Sequence, residues 1–435
     1  MKNYKIQLLV IMLIAIVACS KDDGTAPEPI AEPGPIVNPE PDPDPDPDPA
    51  NQPPDNFGLI SVENEMDNVD VVPSFNWETA TDPDGDTIVY DLILDVQNPP
   101  TTLYQNDLTE NDFEVTERLS MLETYYWKVI AKDNKGASVE TEVFSFTTRD
   151  LRVPETATEE NPGFAERRRA VTTVFNDKLW VIGGADKDFN LLSDVWNSDN
   201  GTNWSVVNPV ADFAGRWDHS LVVFNDKLWI LGGFDGDNYL NDVWNSEDGI
   251  NWNQITTANI FSERGRHTSV IYNDKIWVIG GYDGQTLGDV WYSEDGITWT
   301  QATEGAAFEK RSMHTSVVFD NKMWLIAGSN GQRKSDVWYS ENGADWTEAT
   351  LGAAFSSRIR LSSFVFDNKM WIVGGANPGA QNDIWHSQNG INWTKVISDF
   401  SFSERFDHTT TVFQNKIWLI AGYDGEYLKD IWAFD

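Results

Sequence analysis

The chain has 435 residues, enough for two or three domains, and 69 Asp and Glu against 31 Lys and Arg give it a formal charge of −38. A surface of that sign repels phosphates, so duplex nucleic acid is not expected as a partner. Cys19 is the only cysteine.

Lys2 and Lys5 precede an apolar run from Ile6 to Ala18. The run is too short to span a bilayer and reads as a signal peptide, residues 1–18. It ends in Ile16-Val17-Ala18-Cys19, which resembles the lipobox of a bacterial lipoprotein. That resemblance implies that Cys19 is lipidated, becomes the mature N-terminus and anchors the protein in the outer membrane. Ser20-Lys21-Asp22-Asp23 resembles the acidic export signal of Bacteroidetes-type lipoproteins, which implies exposure on the cell surface rather than on the periplasmic face. Residues 24–54 carry Pro at nearly every second or third position, with a Pro-Asp repeat from Pro41 to Pro49. Such a stretch has nothing to bury, and Pro with repelling Asp keeps it extended. Residues 19–56 therefore read as a lipidated, disordered stalk.

Residues 57–149 read as a small β-sandwich. Pro73–Ala80, Thr87–Val96, Asp112–Glu117, Tyr125–Asp133 and Val143–Thr148 alternate between apolar and polar, and Asp/Gly/Asn turns separate them. Leu119-Ser-Met-Leu-Glu-Thr-Tyr125, followed by Trp127 and Val129, resembles the corner before strand F of a fibronectin type III module, with Trp77 as its core Trp. Asp82-Pro-Asp-Gly-Asp86 lacks the ligand run and closing Glu of an EF-hand loop, so it reads as a plain turn and no metal is expected. The module reads as a spacer.

From residue 164 onward one unit recurs six times, with Trp196, Trp244, Trp291, Trp338, Trp385 and Trp432 separated by 48, 47, 47, 47 and 47 residues. A period near 50 with four short β runs per copy is the mark of a propeller whose copies are four-stranded blades. In the third copy His267–Tyr272 stops at Asn273-Asp274 and leads into Ile276–Ile279, a hairpin of strands a and b. Gly280-Gly281 releases the chain, Asp289–Ser293 resumes it as strand c, and Asp295-Gly296 turns it into strand d with Trp299. An Arg-x-x-His start, the Gly-Gly pair and the Trp-bearing strands, as in Arg216/His219, Gly232-Gly233, Trp244 and Trp252, resemble the kelch-repeat family. The expected fold is all-β: a six-bladed kelch-like β-propeller over 150–435, preceded by the fibronectin type III-like sandwich. The sequence stops at Asp435, just after strand c of the sixth copy. Strand 151–157 is therefore expected to complete that blade and close the ring.

Residues present in every copy are best explained by what every blade needs. Arg167, Arg216, Arg264, Arg311, Arg358 and Arg405 recur with Asp194, Asp242, Asp289, Asp336, Asp383 and Asp430, a repeated structural tie rather than six active sites. His219, His267, His314 and His408, replaced by Ala170 and Leu361 in two copies, read as structural. The Ser246–Trp252 and Ser293–Trp299 turns resemble sialidase Asp-boxes, folding elements that lend no enzymatic support. Function is expected where copies differ, on the b–c loops and the approach to strand a. There Trp217, Asp218, Tyr239, Phe406, Asp407, Glu426, Tyr427 and Phe189 oppose Arg266, Arg333 and Arg360, while Arg168, Arg169 and Lys187 blur the division. Aromatic faces flanked by Asp and Arg suit sugars and protein hot spots alike. The expectation is a monomeric surface lipoprotein that binds an extracellular glycan or surface protein without cofactor or catalysis. The alternative is a sugar mutarotase or epimerase, similar to six-bladed sialic acid epimerases. Galactose-oxidase chemistry is excluded, because it needs a second cysteine.

Overall fold

The computed structural model describes residues 50–257, 259–398 and 401–435. The leader, Cys19 and the Pro-Asp stretch lie outside the described residues. Two sheets form the sandwich, one of Leu59–Ser61, Ser74–Trp77 and Asp112–Glu114. The other runs from Met66–Val69 through Phe144–Thr148, Thr124–Asp133 and Ile88–Asp95 to Leu103–Leu108, with Ser138–Glu140 beside Thr124–Asp133. Trp77, Phe75, Leu92, Trp127 and Val129 are sealed between them. The Tyr125 hydroxyl accepts the Ser120 N–H at 3.1 Å, pinning the corner before the long strand. The strands that the sequence pattern hides, such as Leu103–Leu108, are half wet and carry no clean alternation.

Each blade is an antiparallel sheet with strand a nearest the ring axis. Blade 3 has Thr268–Tyr272, Lys275–Tyr282, Thr286–Ser293 and Trp299–Thr303. Its a–b turn, Asn273 and Asp274 at φ 48° and 55°, has the doubly left-handed geometry that two-residue hairpins require, and Asn and Asp tolerate it. Strand b is buried on both faces, as in Ile276, Trp277, Val278 and Ile279, because it is pressed between two neighbouring blades. Six clusters of buried apolar side chains each draw on two successive blades, so the seams, not the individual sheets, hold the core.

The repeated Arg fastens each blade to the loop that leads into it. Arg264 is fully buried; its Nη1 and Nη2 donate to the two Asp289 oxygens at 2.8 Å each, Nη1 also reaches the Gly280 carbonyl at 2.9 Å, and Nε reaches the Ser262 carbonyl at 3.0 Å. Trp291 Nε1 donates to the same carboxylate at 2.7 Å. Burial works against the Asp289 charge, but the Arg264 guanidinium prevails and lowers its pKa below the usual range. Trp291 is thus a half-buried lid over the ion pair, not the core side chain that its recurrence implies; Trp299 is the fully buried one.

Inner strands of successive blades touch all the way round, Thr409–Phe413 of blade 6 meeting Val171–Phe175 of blade 1. Beside strand c of blade 6, the Arg152 N–H donates to the Asp435 carbonyl at 2.9 Å, the Thr158 N–H to the Ile431 carbonyl at 2.8 Å, and the Ile431 N–H to the Glu159 carbonyl at 2.8 Å. The pairing therefore reaches Glu159. In five seams the strand-b Trp of one blade lies under the turn glycine of the next, and a Cβ at Gly343 would overlap the Trp277 ring. The sixth such Trp, Trp371, is sealed in a cluster with Val71 and Met121 of the sandwich. The Met121 N–H donates to Asp367 Oδ2 at 2.8 Å, Lys369 Nζ donates to the Met121 carbonyl at 3.0 Å, and the Arg118 guanidinium lies 4.6 Å from the Phe366 ring centre. The sandwich is part of the ring's packing rather than a free spacer.

Candidate functional site

Two residues after the repeated Arg, every blade places a left-handed residue at the mouth of the central channel: Arg169, Asp218, Arg266, Met313, Arg360 and Asp407, all at φ 56–58°. Backbone bonds link them from blade to blade, Arg266 N–H to Asp218 carbonyl at 2.9 Å, Met313 to Arg266 at 3.1 Å, Arg360 to Met313 at 3.0 Å, Asp407 to Arg360 at 3.3 Å and Arg169 to Asp407 at 2.8 Å. The side chains alternate in charge around the ring. Arg169 binds Asp218 at 3.2 Å and Asp407 at 3.0 Å, Arg266 binds Asp218 at 3.1 Å, and Arg360 binds Asp407 at 2.7 Å. Burial disfavours the Arg169 charge, but its two carboxylate neighbours prevail and raise its pKa. Ring and histidine layer line an open cavity of about 170 Å³.

An aromatic rim surrounds this ring. Trp217 stacks with Phe234 at 6.4 Å and 23°, Tyr239 packs on Phe234 and Tyr282, Phe406 on Tyr423, and Tyr427 on Tyr423 and Phe189. Arg168 sits among the rings of Trp217, Tyr423, Tyr427 and Phe189 at 4.9–5.8 Å, and Arg169 lies 4.2 Å from Trp217. Each cation faces the negative faces of these rings, which fixes the rim. Trp217, Tyr239, Phe406 and Tyr427 are half-buried and offer partial faces to solvent.

The structure brings together Asp218, Arg266, Arg360 and Asp407, with Trp217, Tyr239, Phe406 and Tyr427 around them. Arg333 and Glu426 are exposed on the outer b–c loops of blades 4 and 6 and join neither group. Arg266 and Arg360 do not stand opposite the acidic residues as free donors; they lie beside them and are ion-paired, because residues near the axis meet their neighbours from adjacent blades. The sequence reading missed Arg169 and Met313 as members of the ring. The signal was the column itself, which reads Arg, Asp, Arg, Met, Arg, Asp two places after each repeated Arg.

Beneath the ring, His219, His267, His314 and His408 are buried. Burial, aided by the neighbouring Arg216, Arg311 and Arg405, pushes His219, His314 and His408 down to about 3, so they are neutral. Hydroxyls meet the ring nitrogens of three of them, Ser220 with His267 at 2.9 Å, Thr268 with His314 at 3.0 Å and Ser362 with His408 at 2.8 Å. Each imidazole also lies against the first glycine of the preceding blade's pair; a Cβ at Gly280, φ 56°, would sit 3.1 Å from His314 Cε1. Blades 4 and 6 have Ala327 and Ala421 there, at φ 61° and 59°, and the blades that follow them have Leu361 and Ala170 instead of His. Since alanine is accepted in this backbone conformation twice, the imidazole is what demands glycine. Gly280→Ala is expected to destabilise by about 1–3 kcal/mol, and adding His314→Leu should recover part of that loss. Urea denaturation of both variants checks it; equal midpoints for the two would contradict this account.

Asp82, Asp84 and Asp86 place carboxylate oxygens within 4.8 Å of one another. Asp82 Oδ1 accepts the Asp84 and Asp86 N–H groups, as in a turn, and Lys135 Nζ lies 3.0 Å from Asp86, while Asp82 Oδ2 is buried without a hydrogen-bond partner among the described residues. A wider groove of about 500 Å³ follows the closing segment from Thr156 to Trp432, where Glu166 and Lys429 pair at 3.3 Å.

A family profile described as the KLHDC2/KLHL20/DRC7 Kelch-repeats domain matches residues 130–328, and the Kelch motif profile matches residues 404–435. No curated protein matches the chain. These matches, with four-stranded sheets repeating around one axis, make the repeat region a kelch-type β-propeller.

Proposed function

We propose that the protein is a surface-tethered binding protein, and that its channel-mouth face takes an extracellular glycan or a surface protein without chemistry. The carrying observation is the aromatic rim held rigid around a ring of paired charges. Pre-set aromatic faces bind with little entropy loss, and kelch repeats suggest a protein-binding propeller. Two guanidinium groups engage Asp218 Oδ2, and Arg169 and Arg360 engage Asp407 Oδ2, so both carboxylates are held in place as members of the ring. Trp217→Ala or Tyr427→Ala should cost about 1–3 kcal/mol of binding with little change in melting temperature. A glycan array and a surface-protein pull-down with the wild-type protein supply the ligand, and calorimetry of the variants supplies the cost. Turnover of a free sugar that Asp218→Asn or Glu426→Gln abolishes would replace this reading with the epimerase alternative.

The reading includes attachment through Cys19 and a fibronectin type III-like identity for residues 57–149, supported by the lipobox-like sequence and by the Tyr125 corner over the Trp77 core. Cys19→Ser is expected to move the protein from the membrane to the soluble fraction. An unchanged partition on cell fractionation would refute the anchor.

A further inference from the structure

The ring at the channel mouth is one carboxylate short. Three guanidinium groups, from Arg169, Arg266 and Arg360, alternate with Asp218, Asp407 and a thioether, that of Met313. Arg360 Nη1 is held by Asp407, while its Nε points at Met313 Sδ at 3.2 Å, a weak acceptor for so strong a donor. Arg266 gives its Nε to Asp218, and among the described residues its two Nη groups have no acceptor. Tyr282 and Phe406 back these two arginines, at 5.2 and 5.8 Å, and fix the guanidinium planes on either side of Met313. Burial depresses the Arg360 pKa; Asp407 and Asp218 oppose that, while Arg169 and Arg266 add to it. One positive charge is thus left uncompensated in a half-buried place, inside a molecule that is otherwise strongly negative.

We propose that the notch over Met313, between Arg266 and Arg360, is a binding site for a single carboxylate group. A planar monoanion supplies the missing charge, and its two oxygens match the guanidinium fork. The adjoining cavity, about 170 Å³, has room for the group and a few atoms behind it. The site does not depend on whether the rim takes glycan or protein. Its source is either a small free acid or the carboxylate of an acidic sugar, two arms of one test.

Acetate, glucuronate, glucose and chloride are titrated into the purified protein, with calorimetry and melting temperature as readouts. Acetate and glucuronate should bind and raise the melting temperature, whereas glucose and chloride should not. Glucuronate binding at least tenfold tighter than acetate assigns the site to a sugar acid, and equal binding assigns it to a free acid. Met313→Asp fills the gap from within, with a residue type that tolerates the left-handed conformation. It should weaken carboxylate binding at least tenfold and raise the melting temperature of the unliganded protein. Arg266→Gln should also weaken binding at least tenfold. If Met313→Asp fails to fold, Arg266→Gln decides. The proposal is overturned if neither carboxylate binds the wild-type protein, if chloride binds as well as acetate, or if binding survives in the aspartate and glutamine variants.

Discussion

Lowering the pH from 7 to 5 is expected to remove several kcal/mol of stability, well before most carboxylates titrate. His219, His314 and His408 are held at about 3 in the folded chain, against about 6.5 when unfolded. Between those values protons bind the unfolded chain preferentially. The contribution is therefore complete above pH 6.5, falls as the pH drops and is exhausted near 3. Each histidine gives a slope of about 1.4 kcal/mol per pH unit, so the three together give about 4 kcal/mol per unit through the middle of the window. Relief of the repulsion behind the −38 charge works the other way. In 0.15 M salt that repulsion is screened beyond about 8 Å, whereas the buried imidazoles are not, so the histidine slope prevails. Urea midpoints at pH 7, 6 and 5 read the effect; a midpoint that does not move would refute it. His267 is pushed down by burial as well; replacing His314 with Leu, together with Gly280→Ala, should therefore reduce the slope by the share of one histidine, about 1.4 kcal/mol per pH unit.

Arg264→Ala should cost about 3–5 kcal/mol, a large part of the ~5–15 kcal/mol by which folded domains are stable. The loss is not that of a contact alone. The Asp289 carboxylate stays mostly buried with one donor, Trp291, and the Gly280 and Ser262 carbonyls lose their partner. Arg264→Met combined with Asp289→Leu should therefore be less damaging than Arg264→Ala, since it removes the stranded charge as well as its partner. Chemical denaturation of the two variants compares them directly. If the double variant is the weaker, the ion pair stabilises by more than the cost of burying it.

The blades were legible because a 47-residue period, Asn-Asp turns and paired glycines are local signals that repeat. The candidate site was less so, because it is made between copies. Asp218 and Arg266 are 48 residues apart and touch only because each stands at the axis of its own blade. Read as a list of loop residues they fell on opposite sides of a face; read as a column they form one alternating ring. Arg333 and Glu426 were drawn in by residue type, but their loops extend outward from the axis. Met121 gave no signal at all, since its partner Trp371 lies 250 residues away in a module with no shared period. Periodicity carries the geometry inside a repeat and across its seams, and nothing about what docks from outside.

The pairing of glycine with histidine across seams gives the ring a fixed order of parts. Strand b of blade 3 runs to Gly280, which leaves room for His314 in the next blade; blade 4 has Ala327 at that place and is followed by a blade with Leu361 instead of His. Exchanging blades 4 and 5 would set Gly280 against Leu361 and Gly374 against His314, both without a clash, but would leave Ala327 facing His408, whose present neighbour is Gly374. Despite 47-residue units that look interchangeable, a blade can therefore trade places without repair only with one that matches it at both seams, as blade 2, with His219 and Gly232, matches blade 3, with His267 and Gly280. Repeats here are copied in appearance but keyed in sequence.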